Sequence, residues 1–132
     1  LLDVSGSMSS CIDRVSIITN TFAEALKEFG KGNVVYGVFS DNLLISNVGF
    51  PKNERAGSTN GKKAITEFSN YVDRMIVVSD FEFSDSDHDL VPNPDVEIIG
   101  VSVGNRIADL PFEIIYGDWE ENFVRVCEEF IE

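Results

Sequence analysis

The sequence predicts an α/β fold: a Rossmann-like, doubly wound, mainly parallel sheet with one antiparallel edge strand and helices on both faces. Stretches with apolar residues at helical spacing alternate with short β-branched runs, the pattern of a parallel sheet wrapped by helices. Some of those runs, Met75 to Ser79 above all, are continuously apolar, as strands covered on both faces are. Between two strand-like runs, Asp41-Asn42 supplies turn chemistry, which makes its flanking strands an antiparallel hairpin at an edge.

Taken in order, a short strand ends at Asp3 and a helix follows from Ser9, because Ile12, Val15, Ile18, Phe22, Leu26 and Phe29 recur at steps of three and four. Ser10 and Asp13 have the spacing of a capping box, and Gly30 and Gly32 end the helix. Asn33 to Ser40 reads as a buried strand and Leu43 to Val48 as its hairpin partner. A loop rich in Gly, Pro, Asn and Ser then runs from Gly49 to Asn60 and leads into a helix with Ala64, Ile65, Phe68 and Val72 on one side. After the strand ending at Ser79, an acidic segment from Phe81 to Asp95 carries Pro92 and Pro94. Val96 to Val103 and Glu113 to Tyr116 are the last strands. The final helix begins near Asp118, sets Glu120 and Glu121 where the helix dipole favours negative charge, and lines up Trp119, Phe123, Val126, Cys127 and Phe130.

The 132 residues fit one domain, read as a piece of a longer chain, and no apolar run approaches the roughly 18 residues of a membrane helix. A net charge of −13 opposes phosphate backbones and anionic membranes, which excludes nucleic acid and membrane surfaces as direct partners. Two cysteines, Cys11 and Cys127, are too few for a disulfide scaffold and are expected to be free thiols, which favours a cytoplasmic setting.

Ligand sites on such sheets lie at the carboxyl ends of the strands, where three polar segments should meet. These are Asp3 to Ser7, Ser58 to Asn60, and Asp80. Asp3-Val4-Ser5-Gly6-Ser7 packs a carboxylate and two hydroxyls into one short turn that Gly6 permits. Oxygen donors alone suit Mg²⁺, with Mn²⁺ or Ca²⁺ as alternatives.

That run resembles the DxSxS element of the metal-ion-dependent adhesion site of von Willebrand factor A domains. Thr59 in Gly57-Ser58-Thr59 is similar to the family's threonine, and Asp80 after Val77-Val78-Ser79 to its last aspartate. The resemblance spans residues 1–132 and implies a metal-dependent protein-binding module, not an enzyme. It further implies that Ser5 and Ser7 coordinate directly, Thr59 directly or through water, and Asp3 and Asp80 mostly through water. One position is left for a carboxylate from a protein partner. Phe81 departs from the glycine common in the family, and the acidic segment with Glu82, Asp85, Asp87 and Asp89 adds charge that attracts cations and repels acidic ligands.

Other readings fit less well. Asp85, Asp87 and Asp89 alternate like calcium-loop ligands, but Leu90 and Val96 stand where such a loop needs Gly and Glu. Gly57 to Lys63 mimics a phosphate loop without its first glycine or its final hydroxyl. A serine hydrolase would need His88, the single histidine, with no nucleophile elbow near any serine. A metal-dependent hydrolase and an assembly module with a vestigial site complete the alternatives.

Overall fold

In the computed structural model, which describes residues 1–30, 32–51, 59–85, 89–105 and 107–131, the chain begins with β1 (Leu2–Asp3), a 3-10 turn (Gly6–Met8), α1 (Ile12–Phe29), β2 (Tyr36–Phe39) and β3 (Leu43–Ser46). It continues through α2 (Gly61–Phe68), β4 (Arg74–Ser79), β5 (Glu97–Ser102), β6 (Glu113–Ile115) and α3 (Trp119–Ile131). The six strands form one sheet in the order β3-β2-β1-β4-β5-β6. All neighbouring pairs are parallel except β2 with β3, which runs antiparallel through the Asp41-Asn42 turn. This is the expected α/β fold with its antiparallel edge.

Two apolar cores sandwich the sheet. On one face Ile12 and Val15 of α1 and Phe123, Val126 and Cys127 of α3 pack on Leu2, Val38, Val78 and Val101. On the other, Ile65 and Phe68 of α2 pack on Met75 and Val77. Alternation along β4 explains the division, since adjacent side chains of a strand point to opposite faces. The chain leaves β1 toward β2 and leaves β4 toward β5, so the winding reverses between β1 and β4. Such a reversal opens a crevice at the carboxyl ends of those strands.

Several local expectations need correction. The first helix begins at Ile12, not Ser9, because the Gly6–Met8 turn uses up the preceding residues. Cys11 is its N-cap and makes no side-chain cap hydrogen bond, so Ser10 does not stand at the cap position that the expected capping box needs. Phe29, expected on the buried face of α1, is 66% exposed. Val72 lies past the end of α2 yet still packs on that face. Among the described residues no helix is long and apolar enough to cross a membrane. Both cysteines are free thiols, as expected.

Candidate metal centre

Asp3 ends β1 between β2 and β4, pairing with Phe39 on one side, while Leu2 pairs with Val78 on the other. Its carboxylate is fully buried and both its oxygens are engaged. Oδ1 accepts the Ser5 N–H at 2.8 Å, and Oδ2 accepts the Ser79 hydroxyl at 2.6 Å. The first bond tightens the turn after β1, and the second ties that turn to the end of β4. The Ser79 hydroxyl in turn accepts the Phe81 N–H at 2.9 Å, so it couples Asp3 to the loop that leaves Asp80.

Ser5 and Ser7 share a hydrogen bond between their hydroxyls at 3.1 Å. Ser5 is buried and Ser7 exposed, so the hydroxyl pair leads from the interior to solvent. Asp80, directly after β4, is largely buried, and its Oδ1 accepts the Glu82 N–H at 3.1 Å. Gly104, in the turn after β5, comes so near that a β-carbon there would lie 3.2 Å from that of Asp80. Phe81 takes φ = 58°, the left-handed conformation that glycine adopts most easily. Its ring is buried against Phe83 and Phe112, and this apolar packing offsets the strained backbone.

Thr59 reaches the same edge by another route. The Asn60 N–H donates to the Ser40 carbonyl at 2.8 Å, which sets the entry to α2 against the end of β2. Thr59 is itself paired with the loop beyond Asp80, since its N–H donates to the Ser84 hydroxyl at 3.0 Å and its carbonyl accepts the Ser84 N–H at 2.7 Å. The sheet thus brings Asp3, Ser5, Ser7, Thr59 and Asp80 to the ends of adjacent strands. Hydrogen bonds join Asp3, Ser5 and Ser7 directly. Among the described residues none joins Thr59 to the other four.

The electrostatics of this edge are unfavourable as it stands. Burial pushes the Asp3 carboxyl above its usual range; hydrogen bonds from Ser79 and Ser5 oppose that, and the negative charge of Asp80 adds to it. The Cys11 thiol is also raised, first by burial and then by Asp80 and Asp3. Neither carboxylate has an ion-pair partner among the described residues. Two buried like charges of this kind fit a cation. No three His, Cys, Asp or Glu side chains converge on a metal position among the described residues, and the other oxygen-bearing side chains at this edge are the hydroxyls of Ser5, Ser7 and Thr59. The donor set therefore fits a hard, oxygen-seeking ion that retains water.

Sequence reasoning overlooked the residues that hold this edge together. Ser79 was legible only as a strand end. Ser84 and Asp85 lie in the acidic segment, and Asp85 accepts the N–H groups of Lys62 and Lys63, so it caps α2 from a distant loop instead of lining a calcium site. Asp87, His88, Gly57 and Ser58, which entered the calcium, hydrolase and phosphate-loop readings, lie outside the described residues. Comparison with protein-family models, curated proteins and solved structures gives no match to this chain.

Proposed function

We propose that this chain is a divalent-metal-dependent protein-binding module of the von Willebrand factor A type, with Mg²⁺ held by Asp3, Ser5, Ser7, Thr59 and Asp80. The observation that carries the reading is the buried carboxylate pair Asp3 and Asp80, with no ion-pair partner among the described residues, straddling the switch point beside linked hydroxyls of which Ser5 is buried and Ser7 faces solvent. Because both oxygens of Asp3 already accept hydrogen bonds, Asp3 acts from the outer shell, through charge and by fixing the Ser5 turn. Ser5 and Ser7 offer the direct oxygens, and Thr59 and Asp80 close the remaining sides. When bound, the ion supplies an electrophilic centre that a carboxylate from a protein partner completes. Such a site selects an acidic side chain, and the chain's own net negative charge keeps the encounter weak away from the metal.

The reading is tested by thermal unfolding with Mg²⁺ and with chelator, on the unmodified chain and on Asp80→Ala. Hydroxyls and outer-shell carboxylates make a modest cage. Mg²⁺ at ten times its dissociation constant should therefore add about 1.4 kcal/mol, or roughly 3 to 6 °C, absent in Asp80→Ala. A shift of equal size in both proteins, or in neither, refutes it. Affinity capture with the unmodified chain and Asp3→Ala, each with Mg²⁺ or chelator, then tests the partner. Its capture should need both Asp3 and the ion.

A further inference from the structure

Ser79 offers no oxygen to the metal centre, yet its side chain decides how Asp3 is presented there. It closes β4, is fully buried, and holds its hydroxyl between two partners. The oxygen accepts the Phe81 N–H at 2.9 Å, and the proton goes to Asp3 Oδ2 at 2.6 Å. A hydroxyl has one proton to give, and an ionised acceptor makes the bond it forms short and strong. Asp3 Oδ1 is held at the same time by the Ser5 N–H at 2.8 Å. The carboxylate is thus clamped at both oxygens, and turning it to set one directly on an ion would leave a buried donor unpaired. Ser102, opposite Ser79 in the register of β4 with β5 and equally buried, spends its hydroxyl on Gly104. The grip on Asp3 therefore belongs to Ser79 and is not a general habit of serines at strand ends.

Resting on the metal centre proposed above, we infer that Ser79 is a positioning residue that selects Mg²⁺ over Ca²⁺ by holding Asp3 out of direct coordination. Ca²⁺ takes about six to eight oxygens and gathers carboxylates among them, whereas Mg²⁺ keeps several waters and accepts few protein oxygens. With Asp3 clamped, the side-chain oxygens left for direct contact at this edge are those of Ser5, Ser7, Thr59 and Asp80, and only Asp80 among them carries charge. That set falls short of a calcium shell and suits a hydrated magnesium ion. Releasing Asp3 would add a second anionic ligand, and the larger ion with its looser geometry gains most from it.

The test measures Mg²⁺ and Ca²⁺ affinities by calorimetry for the unmodified chain, Ser79→Ala and Ser79→Thr, and counts the waters on bound Mn²⁺ by pulsed electron paramagnetic resonance. Ser79→Ala should raise the affinity for Ca²⁺ relative to Mg²⁺ by roughly tenfold, the scale on which hydrogen-bond partners of metal-site residues act, and should leave fewer waters on Mn²⁺. Ser79→Thr keeps the hydroxyl and should keep the unmodified ratio. In an Asp3→Asn background Ser79→Ala should leave the ratio unchanged, because the released side chain then brings no charge to the ion. Should Ser79→Ala not fold, Ser79→Cys, whose thiol is a weaker donor, carries the same comparison. Affinities that fall equally for both ions would mark Ser79 as structural only and overturn the inference, as would a gain for Ca²⁺ that persists with Asp3→Asn. A chain that binds neither ion overturns the metal centre together with this inference, whereas binding with a ratio indifferent to Ser79 overturns this inference alone.

Discussion

The two ends of the sheet are built from the same strands yet held together by different forces. At the carboxyl end, segments distant in sequence meet through polar contacts such as Ser79 to Asp3 and Ser84 to Thr59. At the amino end, Phe68, Met75 and Leu1 meet through apolar contact. The difference teaches that stability and recognition can be separated in this fold. Packing dominates at the amino end, while hydrogen-bond geometry dominates at the carboxyl end, where the proposed metal site lies.

Phe68→Ala should break that comparison most severely. The ring is buried and packs so tightly on Gly37 that a β-carbon at Gly37 would lie 2.6 Å from it. Its removal should cost about 3 to 5 kcal/mol, read from chemical denaturation. Any folded remainder should keep its Mg²⁺ shift, and Phe68→Leu offers a milder version should the alanine variant not fold. A lost Mg²⁺ shift in folded Phe68→Leu would show that the two ends are not separable.

Gly61→Ala addresses the other end. Alanine ordinarily favours a helix over glycine by about 1 kcal/mol, but here its β-carbon would sit 2.2 Å from the Phe83 ring. Phe83 precedes Ser84, so displacing the ring should pull Ser84 away from Thr59 and weaken Mg²⁺ binding several-fold. Isothermal titration should show the loss, and Phe83→Ala in the same chain should recover part of it. Ser84→Ala removes the acceptor of the Thr59 N–H directly and should cost about 1 kcal/mol of metal affinity. Asp85→Ala should instead lower stability by about 1 kcal/mol through the lost cap of α2, with little change in Mg²⁺ affinity.

These residues also mark the limit of what the sequence discloses. Periodicity located α1 and the buried strand β4, and Asp41-Asn42 located the hairpin, because each signal is local. Asp3, Ser5 and Ser7 could be grouped for the same reason; the rule that sites lie at strand ends pointed to the segments holding Thr59 and Asp80, and the family resemblance singled those two residues out. Ser84 acts on a residue 25 positions away and Asp85 on one 23 away, and no periodic pattern encodes such pairings. Ser10 and Asp13 have the spacing of a capping box, but α1 starts at Ile12 with Cys11 as its N-cap, so Ser10 does not stand at the cap position and Asp13 falls in the first turn.

The smallest effect expected ties the two ends together through the thiols. Cys127 is buried in the α1 and α3 core, and desolvation pushes its thiol up to about 12. A thiol whose folded value is raised favours the folded state below the unfolded value near 9, and loses that contribution as pH rises toward 12. Alkaline unfolding should therefore set in later for Cys127→Ala, relative to its stability at pH 7, than for the unmodified chain. Cys11 is only half-buried and should react first with an aromatic disulfide reagent. Its thiol is held up in part by the charges of Asp80 and Asp3, which a cation between them would offset. At a fixed pH of about 8, Mg²⁺ should accelerate labelling of Cys11, since the thiolate is the reacting form, and leave Cys127 unlabelled. Asp80→Asn should react faster than the unmodified chain without metal, having lost one of those charges, and should show no further acceleration with Mg²⁺. Labelling of Cys11 that ignores both the ion and Asp80 would mean that no cation resides beside these carboxylates.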